Sequence, residues 1–300
     1  MALRKTWNIQ QLTQVVKAGL LLLALSVGCD RDHSASDSSS ASAGATENNS
    51  GPSGSHALLE GIQYQEPFAE AIRQEPPADW QRPPDLTLTG KSVGKLYTEV
   101  ERRWDTIRFI TSGGKPIAYR AVLETELGSI DIELRPDLAP NHVRNFVALA
   151  LVGYYDGLVF ERTVRARSEQ QPETEVELIE GGCPGGTGDL GQGSIGYWLK
   201  PEFSKEPHEV GTVAACHGEE ADTAACRFYI TLTRAPFLDG SFTVFGKVSQ
   251  GVDVAQRIFS LPVRNDPEYP EGDRPENPVV IRKVTIFTCT SGSSWQPLSQ

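Results

Sequence analysis

From residue 117 onward the apolar residues recur at every second position. Tyr119, Ala121, Leu123 and Thr125 alternate with polar neighbours, Gly128-Ser129 breaks the run, and Ile130, Ile132 and Leu134 resume it. A period of two sends successive side chains to opposite faces, so this stretch specifies a hairpin with one buried face. Further short strands are expected at 158–164, 176–182, 211–216, 226–232, 242–248 and 279–288. Two helices interrupt them. One starts at Pro140, where the missing N–H costs little, with Val143, Phe146, Val147, Ala150 and Leu151 as its apolar face. The other lies near 251–260. Many short strands with two helices imply a mainly β fold, a closed antiparallel barrel of about eight strands.

Ahead of this unit, assigned to residues 116–290 with a tail at 291–300, lies a small helical extension, 56–115. Residues 56–73 have helical potential through Leu58, Leu59, Ile62 and Phe68, and Pro76-Pro77 ends it. Residues 76–85 are proline-rich and extended. The second helix is better marked: Val93, Leu96, Val100, Trp104 and Ile107 recur at three- and four-residue steps, and Ser92 is placed to cap it. That stripe needs a partner, and the following domain is the obvious one. Gly90-Lys91-Ser92 looks like the end of a phosphate-binding loop, but Asp85 stands where the pattern requires glycine. It reads instead as a helix cap.

Residues 1–29 have the order of an export signal. Arg4, Lys5 and Lys17 precede an apolar run of about ten residues, 18–27, too short to span a bilayer. Leu25-Ser26-Val27-Gly28-Cys29 resembles a bacterial lipobox, with Ser26 where leucine is preferred. A cleaved signal or an uncleaved anchor is the alternative, and each version places the rest of the chain outside the cytoplasm. The expectation is a periplasmic protein anchored to a membrane through a lipidated Cys29. Residues 30–55 are serine-rich without an apolar period, a disordered tether. The net charge of −11, without a basic cluster, argues against nucleic-acid binding. Beyond Cys29 there remain Cys183, Cys216, Cys226 and Cys289, an even number that permits disulfides in an oxidising space. Cys216 and Cys226 flank a loop between strands expected to be antiparallel neighbours. They are a candidate pair, with two reduced thiols as the alternative; Cys183 and Cys289 could pair likewise. No CxxC occurs, and a lone His217 without a second histidine at ligand spacing makes no metal site.

Several motifs then follow one another in a recognisable order. They are Pro140-Asn141-His142-Val143-Arg144-Asn145-Phe146, Tyr154-Tyr155-Asp156-Gly157-Leu158-Val159-Phe160-Glu161-Arg162, Glu180-Gly181-Gly182, Arg227-Phe228-Tyr229-Ile230, Phe237-Leu238-Asp239-Gly240 and Val244-Phe245-Gly246-Lys247-Val248. Over about residues 118–289 the chain resembles the cyclophilins. The resemblance implies a monomeric peptidyl-prolyl cis-trans isomerase that acts on proline-containing polypeptides and needs no cofactor. It assigns Arg162 as the catalytic residue and Leu178, Tyr229, Phe237 and Leu238 as the lining of a proline pocket.

The chemistry is consistent with such a set. Rotation about an X–Pro bond must break amide resonance, a barrier near ~20 kcal/mol. A fixed cation that donates hydrogen bonds to the twisted prolyl group lowers it without a nucleophile. The departures from the family concern the cleft. Glu180 and Arg227 replace glutamines, Cys216-His217 replaces Ala-Asn, and Phe242 replaces a histidine. An insertion of about ten residues, 165–175, leaves Glu177 or Val176 where a pocket phenylalanine belongs. Glu180 and Arg227 could form an ion pair across the cleft. Three functions therefore stay open: an isomerase of exported proteins, a proline-peptide binding module of low activity, and a docking lipoprotein.

Overall fold

The computed structural model describes residues 65–76, 82–167, 175–188, 193–264, 274–290 and 292–298. The export signal, Cys29, the tether and residues 56–64 lie outside the described residues. Two-residue periodicity becomes a curved antiparallel sheet: β2 (Ile117–Thr125), β3 (Gly128–Leu134), β4 (Phe160–Arg167), β5 (Glu175–Gly181), β7 (Thr212–Ala215), β8 (Phe228–Thr231), β9 (Val244–Gln250), β10 (Ile281–Thr290) and β11 (Gln296–Pro297). The hydrogen-bonded order is β11-β10-β2-β3-β9-β7-β8-β5-β4. The sheet has nine strands where about eight were expected, because the expected tail contributes β11 as a short edge. The barrel was expected closed. The two flanks meet at an isolated bridge, Val159 to Val280, rather than along a ladder. The expected insertion prolongs the β4–β5 hairpin, with Arg165 opposite Glu177 and Arg167 opposite Glu175.

The helices are α1 (Phe68–Ala71), α2 (Val93–Trp104), α3 (Pro140–Leu151) and α4 (Val252–Phe259). The long first helix is corrected where it can be followed. Only a single turn, α1, forms before the chain extends into β1 (Ile72–Arg73), which pairs with β6 (Trp198–Leu199). In α2 the predicted stripe of Val93, Leu96, Val100 and Trp104 is buried, while Ile107 packs beyond the helix end. Ser92 stands at the N-cap, but its hydroxyl makes no capping bond. The entry is held by backbone instead: Val93 N–H donates to the Asp85 carbonyl at 3.0 Å.

α2 packs against α3. This explains why every residue from Asn141 to Leu151 is buried when the sequence shows only one apolar face. The polar ones need partners, and most have them, His142 Nε2 being an exception. The Arg144 guanidinium lies 5.2 and 5.3 Å from the ring centres of Trp104 and Phe109, and its Nη1 donates to Asn141 Oδ1. At the start of α3, where no local side chain caps the helix, the carboxylate of Glu202 accepts from the backbone N–H groups of Asn141 and His142, at 3.0 and 2.9 Å. The extension, α3 and one face of the sheet thus share one apolar core. A second, smaller apolar cluster gathers on the opposite face.

Of the two alternatives for the cysteines, the structure has the reduced one: Cys216, Cys226 and Cys289 are not in disulfides, so neither candidate pair forms. The reason for Cys216 and Cys226 is strand parity. Cys216 N–H donates to the Arg227 carbonyl, so Cys226 is one residue out of step. Cys216 faces the smaller cluster and Cys226 the main core. Cys183 is buried beside Thr187, while the Cys289 thiol bonds to Ser293.

Candidate functional site

Register places the candidate residues. Across four strands, Arg162 lies opposite Glu180, Glu180 opposite Tyr229, and Tyr229 opposite Ala214. Stepping by two along each strand puts Val164, Val176, Leu178, Arg227 and Cys216 on the same face. That face carries the smaller apolar cluster, which includes Leu178, Cys216, Tyr229, Leu238, Phe242 and Val244, with Phe237 packed against it. The structure therefore gathers every cleft residue proposed from sequence. The two positions weighed for the family's phenylalanine lie differently. Val176 is buried in the cluster, whereas Glu177 turns to the other face and accepts from Arg165 at 2.8 Å.

The rim of the cluster is aromatic. His217 stacks on Phe242 with ring centres 4.3 Å apart, and Phe242 meets Tyr229 edge to face at 5.7 Å. The two ring nitrogens of His217 lie 2.7 and 2.8 Å from the carbonyl oxygens of Gly218 and Ser241. Burial lowers its pKa, opposed by the two carbonyl acceptors, which favour the protonated ring.

Beside the cluster sits a buried charge network. The Glu180 carboxylate accepts from Arg162 Nη1 at 3.1 Å, and the same oxygen accepts from Arg227 Nη2. Arg227 in turn lies with Nε 3.5 Å from Glu161 Oε1. The side chains of Arg162 and Glu180 are 11% and 8% exposed, and that of Glu161 is fully buried. Glu161 was not assigned a role from sequence, and strict alternation would turn it away from Arg162. A register shift between Phe160 and Arg162 sets one extra residue against the partner strand, and this bulge brings Glu161 to the network. Its Oε1 also accepts from Cys183 N–H at 3.0 Å. Burial pushes the Glu161 carboxyl from its ordinary 4.5 up to about 7, with Arg227 opposing and Glu180 adding to the rise. For Arg227 burial pulls the pKa down, but Glu180, Cys216 and Glu161 together outweigh it and the net shift is upward. The guanidinium stays charged.

Glycine-bearing loops close the site. Gly182 takes a φ of 94°, and a Cβ there would collide with the Cys226 carbonyl. The hydroxyls of Tyr154 and Tyr155 donate to the carbonyls of Gly182 and Cys226, at 2.8 and 3.2 Å, and hold that approach. Gly188 lies against the Arg162 stem, where a Cβ would come within 2.7 Å of its Cγ and Cδ.

Residues 120–286 match the family model of the cyclophilin type peptidyl-prolyl cis-trans isomerases. The chain belongs to this family. Among curated cyclophilin-type proteins it is 36% identical over 166 residues to a peptidyl-prolyl cis-trans isomerase of Schizosaccharomyces pombe, covering 55% of this chain and 97% of that one. It is 34% identical over 165 residues to peptidyl-prolyl cis-trans isomerase-like 3 of Gallus gallus, covering 55% and 93%. Peptidyl-prolyl cis-trans isomerase-like 2 of Rhizopus delemar is 33% identical over 198 residues, covering 65% of this chain and 34% of that one. The match thus spans about a third of that longer relative.

Two polar residues at this cyclophilin-type site carry no sequence signal. Glu161 depends on a bulge, and His208, described below, lies in a stretch without strand or helix period.

The folded protein binds the Glu161 proton more tightly than the unfolded chain does, so between pH ~4.5 and ~7 this group contributes less stability as pH rises. In urea unfolding, wild type should lose stability relative to Glu161→Gln as pH goes from about 5 to about 8. Parallel pH curves for the two proteins would show that Glu161 does not titrate in this window.

Proposed function

We propose that the protein is a peptidyl-prolyl cis-trans isomerase in which Arg162 stabilises the twisted X–Pro amide. The single observation that carries this reading is the position of Arg162. It is a permanently charged, multi-donor group at the edge of a cluster apolar enough to take a proline ring. Leu178, Tyr229, Phe237 and Leu238 line that cluster, with Glu180, Cys216, His217, Arg227 and Phe242 around it. As the amide twists, its nitrogen becomes pyramidal and gains a lone pair. A guanidinium donor aimed at that nitrogen interacts more strongly with the twisted state than with the planar one, which is the condition for catalysis. No proton transfer or covalent intermediate is required. We read the curved sheet as a closed barrel whose seam is the Val159–Val280 bridge, a rigid platform for this geometry.

A second reading, a proline-peptide binding module of weak activity, is favoured by one observation. Arg162 is 9% exposed and already donates to a carboxylate, which offsets the positive potential it would direct at substrate. NMR exchange spectroscopy on an X–Pro peptide separates the two. Under the leading reading wild type accelerates exchange and Arg162→Ala lowers that acceleration by roughly 100-fold or more, as for loss of a catalytic hydrogen-bond donor. Peptide binding without faster exchange selects the binding module.

The place of work is part of the proposal. The charged start, short apolar run and Cys29 support export and lipid anchoring outside the cytoplasm, so the polypeptides served are exported ones. Among the described residues no helix is long and apolar enough to cross a membrane. Expressed in a bacterial host, the full chain should partition with membranes and Cys29→Ser should not; equal partitioning of both would remove the anchor.

A further inference from the structure

Tyr229 places a phenol in the wall of the apolar cluster, and a buried hydroxyl needs a partner. The partner is His208. Its Nε2 lies 2.9 Å from the Tyr229 hydroxyl, the two rings are near parallel, and the histidine has no exposed surface. On its other side His208 meets Asp239: the backbone N–H and the Nδ1 atom lie 2.7 and 3.1 Å from Asp239 Oδ1. An ionised carboxylate can only accept, so Nδ1 carries the hydrogen and Nε2 accepts from the phenol. Asp239 is itself fixed by a two-pronged contact with Arg234. That contact and the bonds from His208 hold its carboxyl below the ordinary value although burial acts to raise it. The result is a fixed chain, Arg234–Asp239–His208–Tyr229. It uses the same segment that supplies Phe237 and Leu238 to the cluster.

We propose that His208 is a positioning residue for the proline pocket. It draws the Tyr229 hydroxyl out of the pocket and fixes the ring, so that only apolar ring surface meets the proline. This rests on the cluster being the pocket, as argued above. Without His208 the hydroxyl loses its acceptor and competes for the space that the proline needs. The pocket then weakens for a specific reason, and removing the hydroxyl repairs it. A merely structural role for His208 would predict the opposite, further loss in the double variant.

The experiment measures KM and kcat for an X–Pro peptide by NMR exchange on wild type, Tyr229→Phe, His208→Leu and the double variant, each checked for cooperative unfolding. His208→Gln replaces His208→Leu if the latter does not fold. The expected results are a KM raised roughly tenfold in His208→Leu with kcat little changed, as for one unpaired buried hydroxyl. Tyr229→Phe, which lacks the hydroxyl, is the reference for the double variant, whose KM should fall from the His208→Leu value to that of Tyr229→Phe. An unchanged KM in His208→Leu, or a double variant worse than either single one, overturns the proposal while leaving the pocket in place. Absence of peptide binding by wild type overturns both the pocket and this role.

Discussion

One carboxylate shared by two arginines organises the site. Glu180 sits on the middle strand of three, directly between Arg162 and Tyr229 in register, and one of its oxygens receives both Arg162 and Arg227. Removing such charges from water costs several kcal/mol per ion, a cost offset only by good geometry and complete hydrogen bonding. The fold meets this only in part: Arg227 Nη2 reaches Glu180, while Arg227 Nε and Nη1 and Glu161 Oε2 make no hydrogen bond. The β4 bulge brings a second carboxyl, Glu161, to the far side of Arg227, where burial raises its pKa and Arg227 opposes the rise. The orientation of Arg162 is therefore set by its neighbours before any substrate arrives.

The surroundings repeat the same logic with other groups. α3 carries Asn141, His142, Arg144 and Asn145 into the interior, where most of their polar groups are matched, several from distant parts of the chain, although His142 Nε2 makes no hydrogen bond. Glu202 caps the helix, Trp104 and Phe109 of the extension cover Arg144, and Asn145 donates to the Ala225 carbonyl at 2.8 Å just ahead of Arg227. The extension also reaches the loop after β7: Arg73 of β1 pairs with Glu220 and Asp222 at 2.5 and 3.0 Å. These last charges are partly exposed, so their energetic weight is small. Their value is in holding the loop that carries His217 against the rim.

Sequence showed the hairpin, α2, α3 and the strand carrying Arg162, because in each a single periodicity sustained over several residues leaves one sensible burial pattern. The Glu180–Arg227 contact was also legible, through the resemblance: an acid and a base stand where the family has two neutral amides of one cleft. What escaped had non-local causes. α1 starts only after Pro67, and its C-terminal end is cut by strand pairing with residues more than a hundred positions away, a contact that no local propensity reports. The choice between a Cys216–Cys226 disulfide and two thiols turned on a one-residue parity that only the β7–β8 register reveals. Glu161 was hidden by a bulge, and His208 by an irregular segment whose path is set by tertiary contacts.

The central claim is that Glu180 and Arg227 act as a unit to hold the arginine site. A double-mutant cycle with Glu180→Gln, Arg227→Gln and the double variant, read as unfolding free energies in urea, tests it most directly. Each single change leaves a buried charge without its full complement, so each should destabilise. The double change should cost less than the sum, with a coupling of about 1–3 kcal/mol. Additivity within about 0.5 kcal/mol would contradict the account.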